Sequence, residues 1–267
     1  MPEKLFYPSL DGTRLCALAH DAAAARGTVV LAHGITVDKD ESGDTVSGIG
    51  ALVELAAHLE RANFNVLRFD FRGHGESAGR QQDMTISGEL LDLLASLDLA
   101  RQRWRLPLAL LGASFGAVSA ALYAAHAGAG DLACLVLWNP VLDLRRTFLE
   151  PVLSKPAAFF NDQGYASLEQ RGFLLLDQFR VGRCLVEEMR RVEPFAHMAR
   201  IACPVLTLHG QRDEYVPFDV AQLHALCNPQ SRFVPLPQAG HGFTEPADRQ
   251  IVIPETLRWL DLHLAPT

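Results

Sequence analysis

The chain has 267 residues, of which 49% are hydrophobic and 21% charged, with a formal net charge of −7 and a pI near 5.8. That length gives one large domain or two small ones with a sizeable core, and the composition is that of a soluble globular protein. The acidic balance, without any Arg/Lys block or aromatic-basic interleaving, argues against nucleic acid, whose phosphates need a basic face.

In chain order, Lys4–Ser9 and Thr13–Ala19 flank Asp11-Gly12, a hairpin signal. Thr28–Ala32 is an apolar, β-branched run and predicts a strand. Ile49–Arg61 has helical spacing, with Leu52, Leu55, Ala56 and Leu59 on one face. Val66–Phe69 is the next strand, and Ile86, Leu90, Leu93, Leu94 and Leu97 mark a helix capped by Thr85. Leu108–Leu111, Cys134–Trp138, Val205–Leu208 and Arg232–Leu236 are further short buried strands. Ala117–Ala127 and Asp219–Leu226 read as helices, and a last helix is expected from Pro254, with Leu257, Leu260 and Leu264 spaced along it. Strands alternating with helices predict an α/β fold, a mostly parallel sheet covered on both faces.

One connection is too long for a βαβ crossover. Between Trp138 and Pro204, Ser167-Leu-Glu-Gln170 has a capping-box pattern before Phe173 and Leu174–Leu176, and Arg183–Arg191 looks like a second helix. We therefore expect a catalytic domain of residues 1–140 and 201–267 with an inserted helical cap, 141–200. The cap holds seven of the chain's twenty-one Phe, Tyr and Trp residues. Among these, Phe159, Phe160, Tyr165 and Phe173 are candidates for an apolar substrate-binding roof, although a small core of the cap's own would use the same residues.

The most informative residues are Gly112-Ala113-Ser114-Phe115-Gly116, between a strand and a helix. Glycine-x-serine-x-glycine in that setting is a nucleophile elbow: a sharp turn presents the hydroxyl, and small residues make room for the crowded backbones. The span Leu106–Gly130 has no Asp, Glu, Lys or Arg, but Pro107 and its glycines make it a poor membrane helix. A serine nucleophile needs a base and a group to orient that base. His241, in Ala239-Gly240-His241-Gly242-Phe243 after the last strand, is the expected base. Asp213, in Gly210-Gln-Arg-Asp213, is the expected acid, with Asp143 as its rival. Developing negative charge needs backbone donors, and Phe115 and Ile35 are placed to supply them. His33 is expected to brace its loop, the segment Asp70–Ser77 to be a structural turn, and Asp38-Lys39-Asp40-Glu41 to be a solvated loop.

Five stretches, LAHGIT (31–36), RFDFRGHGESAG (68–79), GASFG (112–116), GQRDEYVP (210–217) and AGHGF (239–243), resemble the α/β-hydrolase-fold serine esterases. Within that fold the chain is most similar to the bacterial cinnamoyl and feruloyl esterase-like group, which carries a comparable cap. The resemblance implies the triad Ser114, Asp213 and His241, oxyanion donors Ile35 and Phe115, and a small-molecule carboxylic ester as substrate. No cofactor or metal is expected. Thioester, amide or carbon–carbon bond hydrolysis would use the same triad, and a non-catalytic binding protein would be expected to have lost part of it.

The first residues lack a positive-then-apolar export segment. Cys16, Cys134, Cys184, Cys203 and Cys227 have neither zinc nor redox spacing and fit free thiols in a reducing cytoplasm. Membrane and nucleic-acid partners are not expected, and a homodimer stays open.

Overall fold

The computed structural model describes residues 1–41, 48–128 and 130–264. An eight-stranded sheet runs through it in the order β1-β2-β4-β3-β5-β6-β9-β10. The strands are β1 (Glu3–Pro8), β2 (Arg14–His20), β3 (Gly27–Ala32), β4 (Phe64–Phe69), β5 (Leu108–Ala113), β6 (Cys134–Trp138), β9 (Val205–Gly210) and β10 (Ser231–Leu236). Antiparallel pairing is confined to β1–β2 and β2–β4, and the other neighbours are parallel.

The strands look continuously apolar because both faces are covered. Val30, Leu110, Leu135 and Leu137 face one core with helices α2 (Ile86–Trp104), α3 (Gly116–His126) and, through Val220, α8 (Phe218–Cys227). Their alternates Val29, Leu31, Leu111 and Val136 face another with α1 (Ala51–Arg61) and α9 (Pro246–His263). Thr85 does cap α2, accepting the Gly88 N–H at 2.9 Å. No helix of the described residues is long and apolar enough to cross a membrane.

The last helix starts earlier than the sequence predicts. Pro246 takes the first-turn position, and Pro254 lies inside α9. Proline there has no N–H to donate one turn back, a loss the helix tolerates by burying Val252, Ile253, Trp259 and Leu260.

The connection from β6 to β9 also departs from expectation, because it is not all helical. It contains α4 (Ser154–Ala157), α5 (Asp162–Arg171), an antiparallel hairpin of β7 (Phe173–Leu176) and β8 (Phe179–Gly182), then α6 (Arg183–Met189) and α7 (Pro194–His197). Ser167–Gln170 sit near the end of α5, whose N-cap is Asn161, accepting the Gly164 N–H at 3.0 Å. Gly172, at φ +83°, ends that helix, and Asp177-Gln178 turns the hairpin, with Asp177 at φ +52°. Phe148, Phe160, Leu174, Leu176, Phe179, Val181, Leu185 and Met189 form a third core with Ile35, Met84, Ile86, Phe115 and Val118 of the sheet layer. Residues 194–200 behave differently: Phe195 and Met198 pack with Ala117, Ala120 and Ala121 of α3.

The hairpin is seated on the turn before α2. The Arg180 N–H donates to Gln81 Oε1 at 3.1 Å, and a Cβ on Gly182 would lie 1.8 Å from the Gln82 carbonyl oxygen. Gly182→Ala must push the hairpin off this turn, so we expect it to lower unfolding free energy by about 1–3 kcal/mol. A denaturant midpoint equal to the parent's would show that the hairpin is not held there.

Candidate active site

Ser114 follows β5 in a left-handed conformation, φ +51°, with Phe115 between it and α3. The turn is held by its own backbone: the Ser114 N–H donates to Trp138 O at 2.9 Å, and its carbonyl accepts the Val141 N–H at 3.0 Å. The flanking glycines are needed for clearance. A Cβ on Gly112 would lie 2.8 Å from Ala117 Cα, and one on Gly116 would lie 2.3 Å from the His33 carbonyl oxygen.

Three residues from three separate loops meet here. Ser114 Oγ is 2.9 Å from His241 Nε2, and His241 Nδ1 is 2.8 Å from Asp213 Oδ2. With Nδ1 donating its hydrogen to the carboxylate, Nε2 is left to accept from the serine hydroxyl. Asp213 is buried, and its other oxygen, Oδ1, accepts the N–H groups of Tyr215 and Val216 at 2.8 and 2.9 Å. Burial pushes this carboxyl up, but the neighbouring His241, its hydrogen bond and the nearby His209 outweigh it and hold Asp213 below the ordinary carboxylate range. Asp143 is not part of this line: its Oδ1 accepts the Arg146 N–H at 2.9 Å, at the start of the connection.

Asn139, just after β6, ties β9, the strand before Asp213, to the loop of His241. Its Oδ1 accepts the Gly210 N–H at 2.9 Å, and its Nδ2 donates to the Gly240 carbonyl at 3.3 Å. The loop after β3 carries Ile35. His33 donates from Nδ1 to Gly34 O at 2.7 Å and accepts the Phe71 N–H on Nε2 at 3.1 Å, the bracing role expected of it. Burial, reinforced by the neighbouring His74, pulls the His33 pKa well down, which keeps the neutral tautomer these contacts need. Among the described residues, the N–H groups of Ile35 and Phe115 have no acceptor.

The Asp70–Ser77 turn is structural, as expected. Asp70 accepts the N–H groups of Lys39 and Glu76 at 2.8 Å each, and Ser77 Oγ donates to Asp70 O. The expected solvated loop before it is not solvated throughout. Lys39 is only 3% exposed, with Nζ 3.1 Å from both Asp70 Oδ2 and Glu76 Oε1.

Two cavities open on Ser114, and Ile35, Thr36, Ser114 and His241 line both. One continues past Val37, Ala51, Trp138 and Phe243, with Glu41 and Asn139 on its wall. The other runs under the connection, against Thr147, Phe148, Leu176, Asp177, Tyr215 and Val216. The four expected roof aromatics line neither. Phe160 is buried in the third core with its ring 5.2 Å from that of Phe148, and Phe159 and Tyr165 pack on the same core. The Tyr165 hydroxyl is 3.3 Å from Leu149 O, and Phe173 lies under the Arg180 guanidinium. Phe148 was countable among the seven aromatics. Tyr215 and Val216 flank Asp213 in sequence, and that adjacency was the available signal for them.

The mostly parallel eight-stranded sheet, with a serine at the strand-to-helix turn of β5, has the architecture of an α/β hydrolase. A family profile described as serine aminopeptidase, S33, matches residues 23–165, more than half of the chain, and the chain belongs to that family. The uncharacterised protein YfhR of Salmonella typhi is 25% identical over 249 residues, covering 90% of this chain and 74% of that protein. Est1E from Butyrivibrio proteoclasticus, in a structure with ferulic acid bound, superposes with a TM-score of 0.79 at 20% identity, covering 98% of this chain and 100% of that one. The Pyrococcus furiosus esterase Pf2001 superposes with a TM-score of 0.73 at 19% identity, covering 99% and 94%. Both likenesses show the α/β-hydrolase fold. Among the described residues there is no cluster of side chains able to hold a metal ion.

Asn139→Ala would leave the Gly210 N–H and the Gly240 carbonyl without their side-chain partner. We expect a loss of about 1–3 kcal/mol in unfolding free energy, the cost of buried groups left unpaired. If the unfolding midpoint does not move, the two loops are held by something other than this amide.

Proposed function

We propose that this chain is a carboxylic-ester hydrolase that works through an acyl-enzyme on Ser114 without a cofactor. The observation that carries the reading is the hydrogen-bonded line Ser114–His241–Asp213 at the junction of two cavities. As Ser114 Oγ attacks the ester carbonyl carbon, its proton passes to His241 Nε2. The carbonyl oxygen takes up the negative charge, facing the free N–H groups of Ile35 and Phe115. The carbon–oxygen bond then breaks, and the alkoxide leaves with the proton from Nε2. Water repeats the sequence on the acyl-enzyme, giving its proton to His241 and releasing the acid and Ser114. Asp213 fixes the imidazole's orientation and stabilises its positive form.

Two cavities meeting at the serine suit the two halves of an ester. Their apolar walls at Trp138, Phe243, Phe148, Leu176 and Val216 would favour apolar or aromatic groups of small-molecule size. Hydroxycinnamoyl esters fall within that class. The proposed setting is the cytoplasm, which suits the free thiols of Cys16, Cys134, Cys184 and Cys203.

The family description favours a second reading, cleavage of a peptide or other amide by the same groups. Rates on matched ester, thioester and anilide substrates separate the two. The ester reading expects the ester to lead by kcat/KM, and an anilide that leads would replace it.

A fluorophosphonate probe should label the protein once, with the adduct mapping to Ser114. Ser114→Ala should stay folded and lose on the order of 10⁶ in kcat. Retention of more than roughly a hundredth of the activity would remove Ser114 from the mechanism. Asp213→Asn should cost about 10⁴ in kcat, because the amide favours the wrong imidazole tautomer, and Asp143→Asn far less. The reverse ranking would reassign the acid.

The base accepts a proton only when neutral, so kcat/KM should rise with pH along a single ionisation. A profile flat from about pH 5 to 8 would argue against a histidine base.

A further inference from the structure

A second histidine reaches the same carboxylate. His209 is the penultimate residue of β9, four positions before Asp213, and is fully buried. Its Nε2 lies 3.3 Å from Asp213 Oδ2 and 3.2 Å from the Val216 carbonyl oxygen. Both neighbours are acceptors, so the ring hydrogen belongs on Nε2. Nδ1 has no hydrogen-bond partner among the described residues, and the ring meets Phe218 edge-on at 5.6 Å. A side chain kept only for packing would not carry an unpaired buried nitrogen when leucine or phenylalanine fills such space at no polar cost.

We infer that His209 is a positioning residue for the Asp213–His241 pair: it shares its one Nε2–H between Val216 O and Asp213 Oδ2, the oxygen that also receives His241 Nδ1–H, and so biases both the carboxylate's direction and the charge it shows to His241.

The inference rests on the reading of Ser114, His241 and Asp213 given above. Oδ1 is occupied by the Tyr215 and Val216 amides, which hold the carboxylate at one end. His209 meets it at the other, and its second contact, with Val216 O, bonds the imidazole to the loop that carries those amides. Hydrogen bonds share a carboxylate's charge among their donors. Without His209, more of the charge on Oδ2 faces His241, and the imidazolium form of the base is favoured. The acid limb of the pH–rate profile then moves to higher pH. Other ionisable groups facing the pair are Tyr215, whose ring is 5.2 Å from that of His241, and Asp177, which accepts from the Tyr215 hydroxyl at 3.2 Å. Glu41 lies on the wall of the cavity that Ser114 and His241 also line. All three stay in place when only residue 209 changes, so they set a common baseline.

In His209→Phe the acid limb of kcat/KM should rise by about half a pH unit or more, with kcat down about tenfold. His209→Gln, whose side-chain amide can present an N–H to the same oxygen, should recover most of both changes. A folded His209→Phe protein that keeps the parent's acid limb overturns the inference, and so does a Gln variant no closer to the parent than Phe. Should the Phe variant not fold, the unmodified protein still decides, through ¹⁵N-histidine NMR. A His209 hydrogen on Nε2 is expected, and one on Nδ1 overturns the inference. Turnover that survives Ser114→Ala would instead defeat the serine reading, while the NMR result tests the position of the His209 hydrogen independently of turnover.

Discussion

The close approach of Gly116 to the end of β3 is the constraint on which the rest of the site depends. With the His33 carbonyl oxygen 2.3 Å from where a Cβ would be, α3 can begin there only on a residue without one. That contact sets the loop bearing Ile35 beside the turn bearing Ser114 and Phe115. In that turn Ser114 takes φ +51°, a conformation that costs a non-glycine residue about 1–2 kcal/mol. The two backbone hydrogen bonds from this residue to Trp138 and Val141 contribute about 0.5–1.5 kcal/mol each, enough to offset the strain. The neighbouring strand β6 thus helps hold Ser114 in place, and Trp138 at its end and Asn139 just after it also line a cavity.

The facing loop is fixed by a different means. It is short of apolar residues, and buried polar contacts hold it. His74 sets Nε2 2.7 Å from the Ile35 carbonyl, and its ring stacks on Phe179 of β8 at 4.7 Å. Lys39 lies among Asp40, Asp70 and Glu76, while Arg68 Nη1 donates to the Lys39 carbonyl and to Asp40. Burial alone would pull the Lys39 ammonium down, but Asp70, then Glu76 and Asp40, more than offset it and keep it charged. Such a network is a weak source of net stability, because desolvation consumes most of the Coulombic gain. Its consequence is geometric: a loop bonded to β4 through charged groups has one low-energy position, and that position presents the Ile35 N–H beside the serine.

The sheet, its order of chemistry-bearing loops and the line Ser114–His241–Asp213 were legible in the sequence because local rules govern them. Short apolar runs mark strands covered on both faces, and glycine marks places where backbones crowd. Less legible were features decided by contacts between distant segments. Lys39 reads as solvated because lysine usually is, and nothing near it in sequence announces Asp70 and Glu76. Pro254 reads as a helix start because proline favours that position, yet tertiary burial of Val252 and Trp259 carries the helix through it. The Phe173–Leu176 hairpin reads as helix because a capping-box pattern precedes it, and the two-residue turn Asp177-Gln178 lacks the glycine that usually betrays a hairpin. The roof aromatics failed as lining residues for a related reason. Composition locates an aromatic-rich segment, but which rings face a cavity depends on how its pieces fold on one another.

That last point bears on how the β6–β9 connection acts. Its direct cavity wall is small, Thr147, Phe148, Leu176 and Asp177, and the wall is set from behind. Phe148 is wedged between Phe115, 5.9 Å away by ring centroids, and Phe160 at 5.2 Å. Leu176 ends β7 and Asp177 follows it directly, and the hairpin itself is pinned at Gly182 against Gln82. A change in the shape of the third core is therefore transmitted to Phe148 and Leu176, whereas the Ser114 backbone is held by hydrogen bonds to Trp138 and Val141. Close-packed side chains pass displacement to their neighbours far more readily than a hydrogen-bonded sheet bends. The connection can thus vary in sequence and re-shape one cavity while β5 and β6 keep hold of the Ser114 backbone.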